Sequence, residues 1–242
     1  MSQSLQKGIE ALMFLSSRKS VGVTELAEKL GTHKSTAFRI LDTFLAANLA
    51  EKNPATLKYT LGPTVLRLSE QYYKNYGLIT TARPVIEQLV TELRESVHLC
   101  VCSNNSAVVI EQVLSNSRLI VNAKVGNREP LHCSSVGKCL LAFVPEKNRE
   151  EMLDSISYDS FTEKTIASRN ALLEEIEKIK RQGYALDDGE LNADIKCVAV
   201  PVFDKRGACV YSLGASGAAS RMTREKMDRM VPLMIKAARE II

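Results

Sequence analysis

The feature that most constrains the fold is the succession of elements between Thr24 and Leu61. A helix is predicted from an N-cap at Thr24 to a stop at Gly31, and its apolar positions are Leu26, Ala27 and Leu30. After a tight turn at 32–34, a second helix has apolar residues at helical spacing: Ala37, Ile40, Leu41, Phe44 and Leu45. Two β-rich runs, 49–53 and 57–61, then flank Pro54-Ala55-Thr56. A helix, a glycine turn, a helix and a hairpin form the layout of a winged helix-turn-helix.

The second helix leaves polar and basic residues outside its apolar face. They are concentrated in its N-terminal half and comprise Lys34, Ser35, Thr36, Arg39 and Thr43. In helix-turn-helix proteins this part of the second helix contacts base edges in the major groove. Arg39 has the geometry to bind a guanine edge with two hydrogen bonds, and Lys52 and Lys58 lie close to the hairpin tip, near the DNA backbone. We therefore predict a DNA-binding surface; the alternative is a small helical bundle with a merely solvated face.

Charge is distributed unevenly along the chain. The formal net charge is +4, and the first 62 residues carry eight Lys or Arg against five Asp or Glu. The remaining residues carry 24 against 23. The basic excess thus lies in the smaller part, as expected where phosphates are contacted.

Composition indicates a globular chain in a reducing compartment. Hydrophobic residues make up 45% and charged residues 25% of the 242 residues, which is ordinary for a globular protein. The longest apolar runs are too short for a membrane span, and the N-terminus lacks the apolar core of a signal peptide. The six cysteines form no C-x-x-C pair. We expect a cytoplasmic protein with reduced cysteines.

The larger part begins with helices and continues with strands. An amphipathic helix from Pro63 to near Gly77 is a natural linker, and its apolar residues available for burial are Val65, Leu66, Leu68, Tyr72 and Tyr73. Strands are predicted at 97–103, 107–114, 118–123, 184–187, 195–203 and 208–215. Helices are predicted at 134–143, 147–156, 167–182 and 224–242. This order predicts an α+β domain with an antiparallel sheet covered by helices.

Several runs of residues resemble the IclR family of bacterial transcriptional regulators. In the smaller part they are Ser4-Leu5-Gln6-Lys7-Gly8, Thr24-Glu25-Leu26-Ala27, Lys34-Ser35-Thr36, Arg39-Ile40-Leu41 and Tyr59-Thr60-Leu61-Gly62. In the larger part they are Pro130-Leu131-His132-Cys133, Gly137-Lys138, Gly183-Tyr184, Asp187, Glu190 and the run from Cys197 to Asp204. The resemblance covers almost the whole chain.

The resemblance implies a winged helix-turn-helix at 2–62, a linker helix at 63–77 and a GAF-like, profilin-like effector and oligomerisation domain at 78–242. It implies a regulator, a repressor more than an activator, that binds a double-stranded DNA operator and works as a dimer or dimer of dimers. Its effector is expected to be a small molecule such as an organic or sugar acid. Neither a cofactor nor a membrane partner is expected.

The family's effector-binding positions also have counterparts in this sequence. They match Ser134, Ser135, Val136, Asp187, Cys197, Ser212, Gly214 and Ser216. One departure stands out, because the family often has glycine where this chain has Asp194. The additional carboxylate would change the loop conformation or the charge of the pocket.

These residue types suit a small acid. Ser134 or Ser135 is placed to cap an apolar helix, whose first N–H groups attract a carboxylate. Asp187 would accept hydrogen bonds from hydroxyl groups at the other end of the ligand. The hypothesis is a hydroxylated or keto carboxylate held between the helix start and Asp187. The alternative is that the serines only cap the helix and Asp187 lies on the surface.

The sequence also offers residues for two other classes of site. His98, Cys100 and Cys102 alternate along a strand and would share one face, as the beginning of a metal site. His132 and Cys133 are adjacent, as in a thiol sensor or thiol enzyme, but no orienting partner is evident. A phosphate loop at Gly137-Lys138 is excluded, because His132 occupies the position that requires glycine. We expect no metal and no catalytic residue.

Overall fold

The computed structural model describes residues 2–75 and 78–242. The chain forms two compact units, Met1–Tyr76 and Gly77–Ile242. The predicted end of the linker helix near Gly77 falls outside the described residues. In the described ranges, no helix is both long and apolar enough to cross a membrane.

The N-terminal unit is a helix-turn-helix followed by a two-stranded wing. Its elements are α1 (Gln3–Ser16), α2 (Val23–Lys29), α3 (Lys34–Ala46), β1 (Ala50–Lys52), β2 (Tyr59–Leu61) and α4 (Thr64–Asn75). The strands β1 and β2 are antiparallel, with Ala50 opposite Leu61. Leu15, Leu26, Leu41 and Tyr59 are each at most 1% exposed and join the helices to the wing in one apolar core.

The start of α2 differs from the sequence prediction. Gly22, not Thr24, is the N-cap residue, and Thr24 lies in the first helical turn. The Glu25 carboxylate accepts a hydrogen bond from the Gly22 N–H at 2.7 Å. This bond from the third helical position stabilises the earlier start, so the helix does not need a capping hydroxyl at Thr24. The predicted stop is confirmed, since Gly31 has a φ of +56°.

The helix α4 leaves exposed some of the apolar residues that the sequence makes available for burial. Leu66 is 70% exposed and Leu68 is 56% exposed, while Val65 and Tyr73 are half-buried. These exposed leucines give α4 an apolar side whose contact with water is unfavourable.

The C-terminal unit is an antiparallel sheet with helices on both faces. Its elements are α5 (Leu78–Leu93), β3 (Ser96–Ser103), β4 (Ser106–Val113), β5 (Arg128–Glu129), α6 (Ser135–Phe143), α7 (Glu146–Asp154), α8 (Arg169–Gln182), β6 (Ala185–Asp187), β7 (Ile195–Phe203), β8 (Cys209–Ala218) and α9 (Arg224–Glu240). The strand order is β5-β4-β3-β8-β7-β6, and each neighbouring pair is antiparallel. The predicted α+β class is confirmed.

Alternation along the strands assigns side chains to the two faces. Cys100 and Ala199 pack with α6 and α8 in one buried cluster. Their neighbours Val198 and Val200 point to the opposite face, which α5 and α9 cover. The face under α6 is where the predicted effector-binding residues lie.

The predicted strand at Arg118–Ala123 is wrong. This segment has no strand pairing, and Leu119 and Ile120 are 62% and 43% exposed. The neighbour of β4 is instead β5, which places Arg128 opposite Val108 and Glu129 opposite Ala107. Consecutive exposed side chains give a strand no buried face, so the β-branched composition of 118–123 was misleading.

Candidate functional site

The outer side of α3 carries the residues predicted to bind DNA. The helix begins at Lys34, directly after the N-cap residue His33, and its first turn has no acidic residue. Ala37 and Leu41 are fully buried. Opposite them lies the recognition surface, which consists of Lys34, Ser35, Arg39 and Thr43, all exposed, and of Thr36, which is half-buried.

The start of α3 also has backbone groups available to an anion. The N–H groups of Thr36 and Ala37 both donate to the His33 carbonyl, at 3.0 and 3.1 Å. The preceding N–H groups of Lys34 and Ser35 have no acceptor among the hydrogen bonds of the described residues. Unpaired N–H groups at a helix start attract phosphate. The recognition surface therefore combines two long cations, hydroxyl groups and a positive helix end.

The two lysines of the wing differ in their surroundings. The Lys52 ammonium lies 5.5 Å from the centre of the Tyr59 ring and is exposed. The Lys58 ammonium is 3.1 Å from the Glu25 carboxylate, and both side chains are about half exposed. The Gly22 N–H and Lys58 together lower the pKa of Glu25. Lys52 is thus presented to solvent, whereas Lys58 is held against α2.

The start of α6 is fixed by Ser134. This residue is the N-cap, and its Oγ accepts a hydrogen bond from the Gly137 N–H at 3.1 Å and donates to the Pro130 carbonyl at 2.6 Å. A side chain at Gly137 would approach the Pro130 oxygen to 2.3 Å, so the helix start is packed directly on the preceding chain. The N–H groups of Ser135 and Val136 have no acceptor among the hydrogen bonds of the described residues.

The sheet brings further predicted residues to this helix start. Ser216 on β8 lies opposite Cys197 on β7, and its Oγ donates to the Cys197 Sγ at 3.0 Å. A side chain at Gly214 would come within 2.6 Å of both Val136 Cγ1 and His98 Nε2, so these two groups are neighbours. Ser212, also on β8, lies beside Cys139, which is further along α6 than Val136. We call this region the α6 site. It consists of Ser134–Val136 and the strand residues beside them, Cys197, Gly214 and Ser216.

Asp187 lies beside the Cys197 side of the α6 site. It ends β6 opposite Cys197 and is only 2% exposed, so it does not lie on the surface. Its Oδ1 accepts a hydrogen bond from the Glu190 N–H at 2.6 Å. Burial nevertheless raises the pKa of Asp187 above its ordinary value. The carboxylate is therefore poorly solvated, although Lys138 and the backbone N–H groups of Gly189, Glu190 and Leu191 partly offset the effect of burial.

A buried ion pair holds the turn that carries Asp187. Lys138 on α6 is fully buried and pairs with Glu190, with Glu175 4.0 Å away. Thr162 and Thr165 also bind this turn through their hydroxyl groups, which donate to the Glu190 carbonyl at 3.2 and 2.7 Å. Burial raises the pKa of Glu190 to about 7 despite its cation. The helix and the acidic turn are thereby fixed to one another.

Glu129 is a member of this region that sequence reasoning missed. It lies on the short strand β5 opposite Ala107, within electrostatic reach of Asp187. Burial, with a smaller contribution from Asp187, raises the pKa of Glu129 to about 7. No local pattern indicated it, because its place depends on the pairing of β5 with β4.

Of the three residues that could begin a metal site, His98 and Cys100 are buried and Cys102 is half-buried. His98 and Cys100 are 2% and 0% exposed, and burial lowers the pKa of His98 to about 4. Burial also raises the pKa of the Cys100 thiol. Across the described residues, no group of three His, Cys, Asp or Glu side chains is placed to hold a metal ion.

His132 and Cys133 do not act on one another. The His132 Nε2 is 2.9 Å from the Asp159 carbonyl, and its ring packs against Tyr158 and Phe161. Burial, with repulsion from Asp187, raises the pKa of the Cys133 thiol to about 12. A thiol in such surroundings stays protonated and is a poor nucleophile.

Asp194 is outside the α6 site. Its side chain is exposed, and its carbonyl accepts a hydrogen bond from the Ala219 N–H at 2.8 Å. Its backbone does not adopt the left-handed conformation that would favour glycine. The departure at this position therefore adds a charge on the surface.

Two protein-family models match this chain. Residues 4–54 match the model of the IclR helix-turn-helix domain, and residues 70–242 match that of the bacterial transcriptional regulator IclR C-terminal domain. The chain belongs to the IclR family. It is accordingly a DNA-binding transcriptional regulator.

Individual relatives match over most of their length. The regulator KdgR of Escherichia coli is 30% identical over 238 residues, which cover 98% of this chain and 90% of KdgR. The regulator BhcR of Paracoccus denitrificans is 29% identical over 239 residues, which cover 99% of this chain and 86% of BhcR. Both relatives are HTH-type transcriptional regulators.

Solved structures of IclR proteins share the fold. The crystal structure of the Thermotoga maritima IclR protein superposes with a TM-score of 0.83 at 28% identity, covering 100% of this chain and 98% of that one. An IclR homologue from Microbacterium hydrocarbonoxydans, crystallised with 4-hydroxybenzoate, has a TM-score of 0.84 at 23% identity and covers 99% and 97%. The second likeness shows the fold alone.

Proposed function

We propose that this IclR-family protein is a repressor whose binding to a double-stranded DNA operator is controlled by a small organic acid in the cytoplasm. The observation that carries the proposal is the α6 site. There, two unpaired N–H groups of a helix start lie on the same sheet face as the buried, poorly solvated Asp187. Such a site offers partners to both ends of a small carboxylate.

The DNA contacts are assigned to the recognition surface and the wing. Arg39 is proposed to read a base edge, with Lys34, Ser35, Thr36 and Thr43 at neighbouring bases and phosphates. Lys52 and Lys58 are proposed to contact the backbone beside the wing. The exposure of Arg39 and Lys52 and the lack of acid in the first turn of α3 support this assignment.

The acid is proposed to bind with its carboxylate at the N–H groups of Ser135 and Val136. Asp187 would then accept a hydrogen bond from the group at its far end. Cys197, Gly214 and Ser216 would form the wall between the two ends, with Ser212 further along the helix. The relative of the same fold that was crystallised with 4-hydroxybenzoate shows that an acid can accompany this fold, so this compound is included in the test.

A homo-oligomer, either a dimer or a dimer of dimers, is part of the proposal. Leu5, Ile9 and Met13 follow one another at four-residue spacing on α1 and are 64%, 56% and 64% exposed. The exposed Leu66 and Leu68 on α4 belong to the same unit. Exposed apolar side chains at this spacing mark a contact between proteins. A second copy would cover them and would pair two recognition surfaces on a two-fold operator.

The acid would regulate by binding unequally to two arrangements of the oligomer. A ligand can shift an equilibrium only by its difference in affinity for the two states. The spacing of the recognition surfaces must match the DNA repeat, so the arrangement that fits the acid would fit the operator poorly.

Calorimetry and operator-binding measurements test the proposal together. The panel is glyoxylate, pyruvate, lactate, glycerate and 4-hydroxybenzoate. We expect one of these acids to bind and to lower operator affinity by about 5- to 150-fold. Asp187→Asn keeps an acceptor for the Glu190 N–H but should lose most of the acid affinity. The matched control is Asp194→Asn, an exposed carboxylate nearby, which should bind the acid normally.

Two results would reject the proposal. One is that no acid of the panel binds the folded protein. The other is that an acid binds while the operator affinity and the DNA footprint remain unchanged. Equal acid affinity in both aspartate variants would reject the role of Asp187 alone.

A further inference from the structure

The recognition helix α3 exposes a large aromatic side chain. Phe38 is 47% exposed, whereas Phe44 on the same helix is 8% exposed and belongs to the apolar core. That core and the partly buried side chains packed against it, as formed by the described residues, do not include Phe38. A phenylalanine on the surface of a helix gains little from burial, and its helix propensity is below that of lysine or glutamate. The folding of the N-terminal unit therefore does not require the Phe38 ring.

Phe38 lies among the predicted DNA-binding residues. On a helix, residues three or four apart are neighbours, so Phe38 has Lys34 and Ser35 on its N-terminal side and Asp42 on its C-terminal side. These neighbours are all exposed. The ring belongs to the first half of α3, the part that meets base edges in helix-turn-helix proteins. It adds an apolar group to a surface of charged and polar side chains.

Phe38 is separate from the exposed apolar residues of α1. The groove between α1 and α3 is lined by Leu5 and Ile9 on α1 and by Thr36 and Ile40 on α3. Successive residues of a helix are about 100° apart, which places Phe38 on the flank of α3 opposite Thr36 and Ile40. Leu5, Ile9 and Phe38 therefore do not form one apolar surface.

The charge beside Phe38 favours bases over phosphates. Asp42 is exposed one turn further along α3. Its carboxylate repels phosphate, so the DNA next to this part of α3 presents base edges rather than backbone. In the major groove the apolar group of a base edge is the C5 methyl of thymine, and phenylalanine is among the side chains that contact it. The Phe38 ring has neither donor nor acceptor for the hydrogen-bonding groups of the other bases.

We propose that Phe38 recognises the C5 methyl group of a thymine and thereby sets the base preference at one position of each operator half-site. The contact would remove the methyl group and one side of the ring from water. Adjacent residues on a helix do not face each other, so Phe38 and Arg39 would contact different base pairs. This inference rests on the proposed assignment of the recognition surface to DNA. It adds an apolar contact to the hydrogen bonds assigned to Arg39.

Removal of single methyl groups from the DNA tests the proposal. The probe is a duplex that the full-length protein selects from a random-sequence library, with deoxyuridine then replacing one thymidine at a time. Deoxyuridine lacks the methyl group but keeps the hydrogen-bonding groups of thymidine. By fluorescence anisotropy, we expect the replacement at one position of a half-site to weaken binding about fourfold, the effect of burying one methyl group.

Variants of Phe38 identify the side chain that contacts the methyl group. Phe38→Ala should weaken binding to the thymidine duplex and should bind the deoxyuridine duplex equally well. Phe38→Leu keeps an apolar side chain and should retain part of the preference for thymidine. The matched control is Leu233→Ala, which truncates an apolar residue that is 39% exposed on α9 and should keep the full preference. Because Phe38 lies outside the core, Phe38→Ala should leave the Tm and the mass in sedimentation equilibrium unchanged.

The outcomes separate this inference from the assignment of the recognition surface. If no deoxyuridine replacement weakens binding, or Phe38→Ala still distinguishes thymidine from deoxyuridine, the inference is overturned. Weaker binding by Arg39→Ala then keeps the assignment of α3 to DNA. If both Phe38→Ala and Arg39→Ala bind the duplex as the parent does, the inference and the assignment are both rejected. A lower mass of Phe38→Ala in sedimentation equilibrium would assign the ring to a contact between copies and overturn the inference.

Discussion

Lys34 and Arg39 stand on the exposed side of α3, whereas Lys138 and Asp187 are buried between α6 and the sheet. The exposed cations are hydrated, and the range of their electrostatic attraction to a polyanion depends on the salt concentration. The buried groups have lost water, so each depends on a particular neighbour, and acids among them have raised pKa values. One region is suited to a long polyanion and the other to a small molecule with fixed polar groups.

Because each buried charge depends on a particular neighbour, we expect its removal to destabilise the fold. Removal of an exposed charge should not. Lys138→Met leaves Glu190 and Glu175 without their buried cation. We expect the free energy of unfolding of the C-terminal unit to fall by about 3–5 kcal/mol, measured by urea denaturation. Lys236→Met, which removes a lysine that is 75% exposed on α9, should change it by less than about 0.5 kcal/mol.

A double variant tests the cause of the lower free energy of unfolding in Lys138→Met. If the cause is a Glu190 carboxylate left without its cation, adding Glu190→Gln to Lys138→Met should recover part of the stability. Unchanged stability in Lys138→Met itself would mean that the buried pair is not formed in solution.

The next effect concerns DNA affinity and leaves the fold intact. Arg39→Ala should weaken operator binding by about 1–3 kcal/mol and relax the preference at one base position. Arg39→Lys keeps the charge but not the planar fork, so it should retain non-specific binding and lose the preference. The measurement is fluorescence anisotropy with operator and scrambled duplexes, and Lys236→Met is the control for the loss of one positive charge. A uniform loss across all sequences would assign Arg39 to phosphate instead.

The exposed side of α3 could be predicted from the sequence more directly than the buried α6 site. The exposed side of α3 followed from helical spacing, since the buried Ala37 and Leu41 fix which residues face outward. The strand β7 was predicted with its observed bounds, 195–203, because a continuous β-rich run ends in a turn. Family resemblance brought in Ser134 and Asp187, whose separation of more than fifty residues carries no local signal.

The remaining parts depend on long-range pairing. Glu129 reaches the α6 site only because β5 pairs with β4, and the wrongly predicted strand at 118–123 had a more β-like composition than 128–129. His98 was grouped with Cys100 and Cys102 as a possible metal ligand, since alternation gives the face but not what covers it. Helix α6 covers that face, and its Val136 lies beside the histidine ring.

The smallest expected effect distinguishes phosphate contacts within the DNA-binding unit. Lys34→Ala should weaken binding equally for operator and scrambled DNA, and the slope of log affinity against log salt should become less steep by about 0.9. Lys58→Ala should change the slope less, because Glu25 already holds the Lys58 ammonium at 3.1 Å. Glu25→Gln releases Lys58 and should raise the salt dependence in the parent but not in Lys58→Ala. Equal slopes for the two lysine variants would show that DNA displaces Glu25, and Lys58 would then count as a full phosphate contact like Lys34.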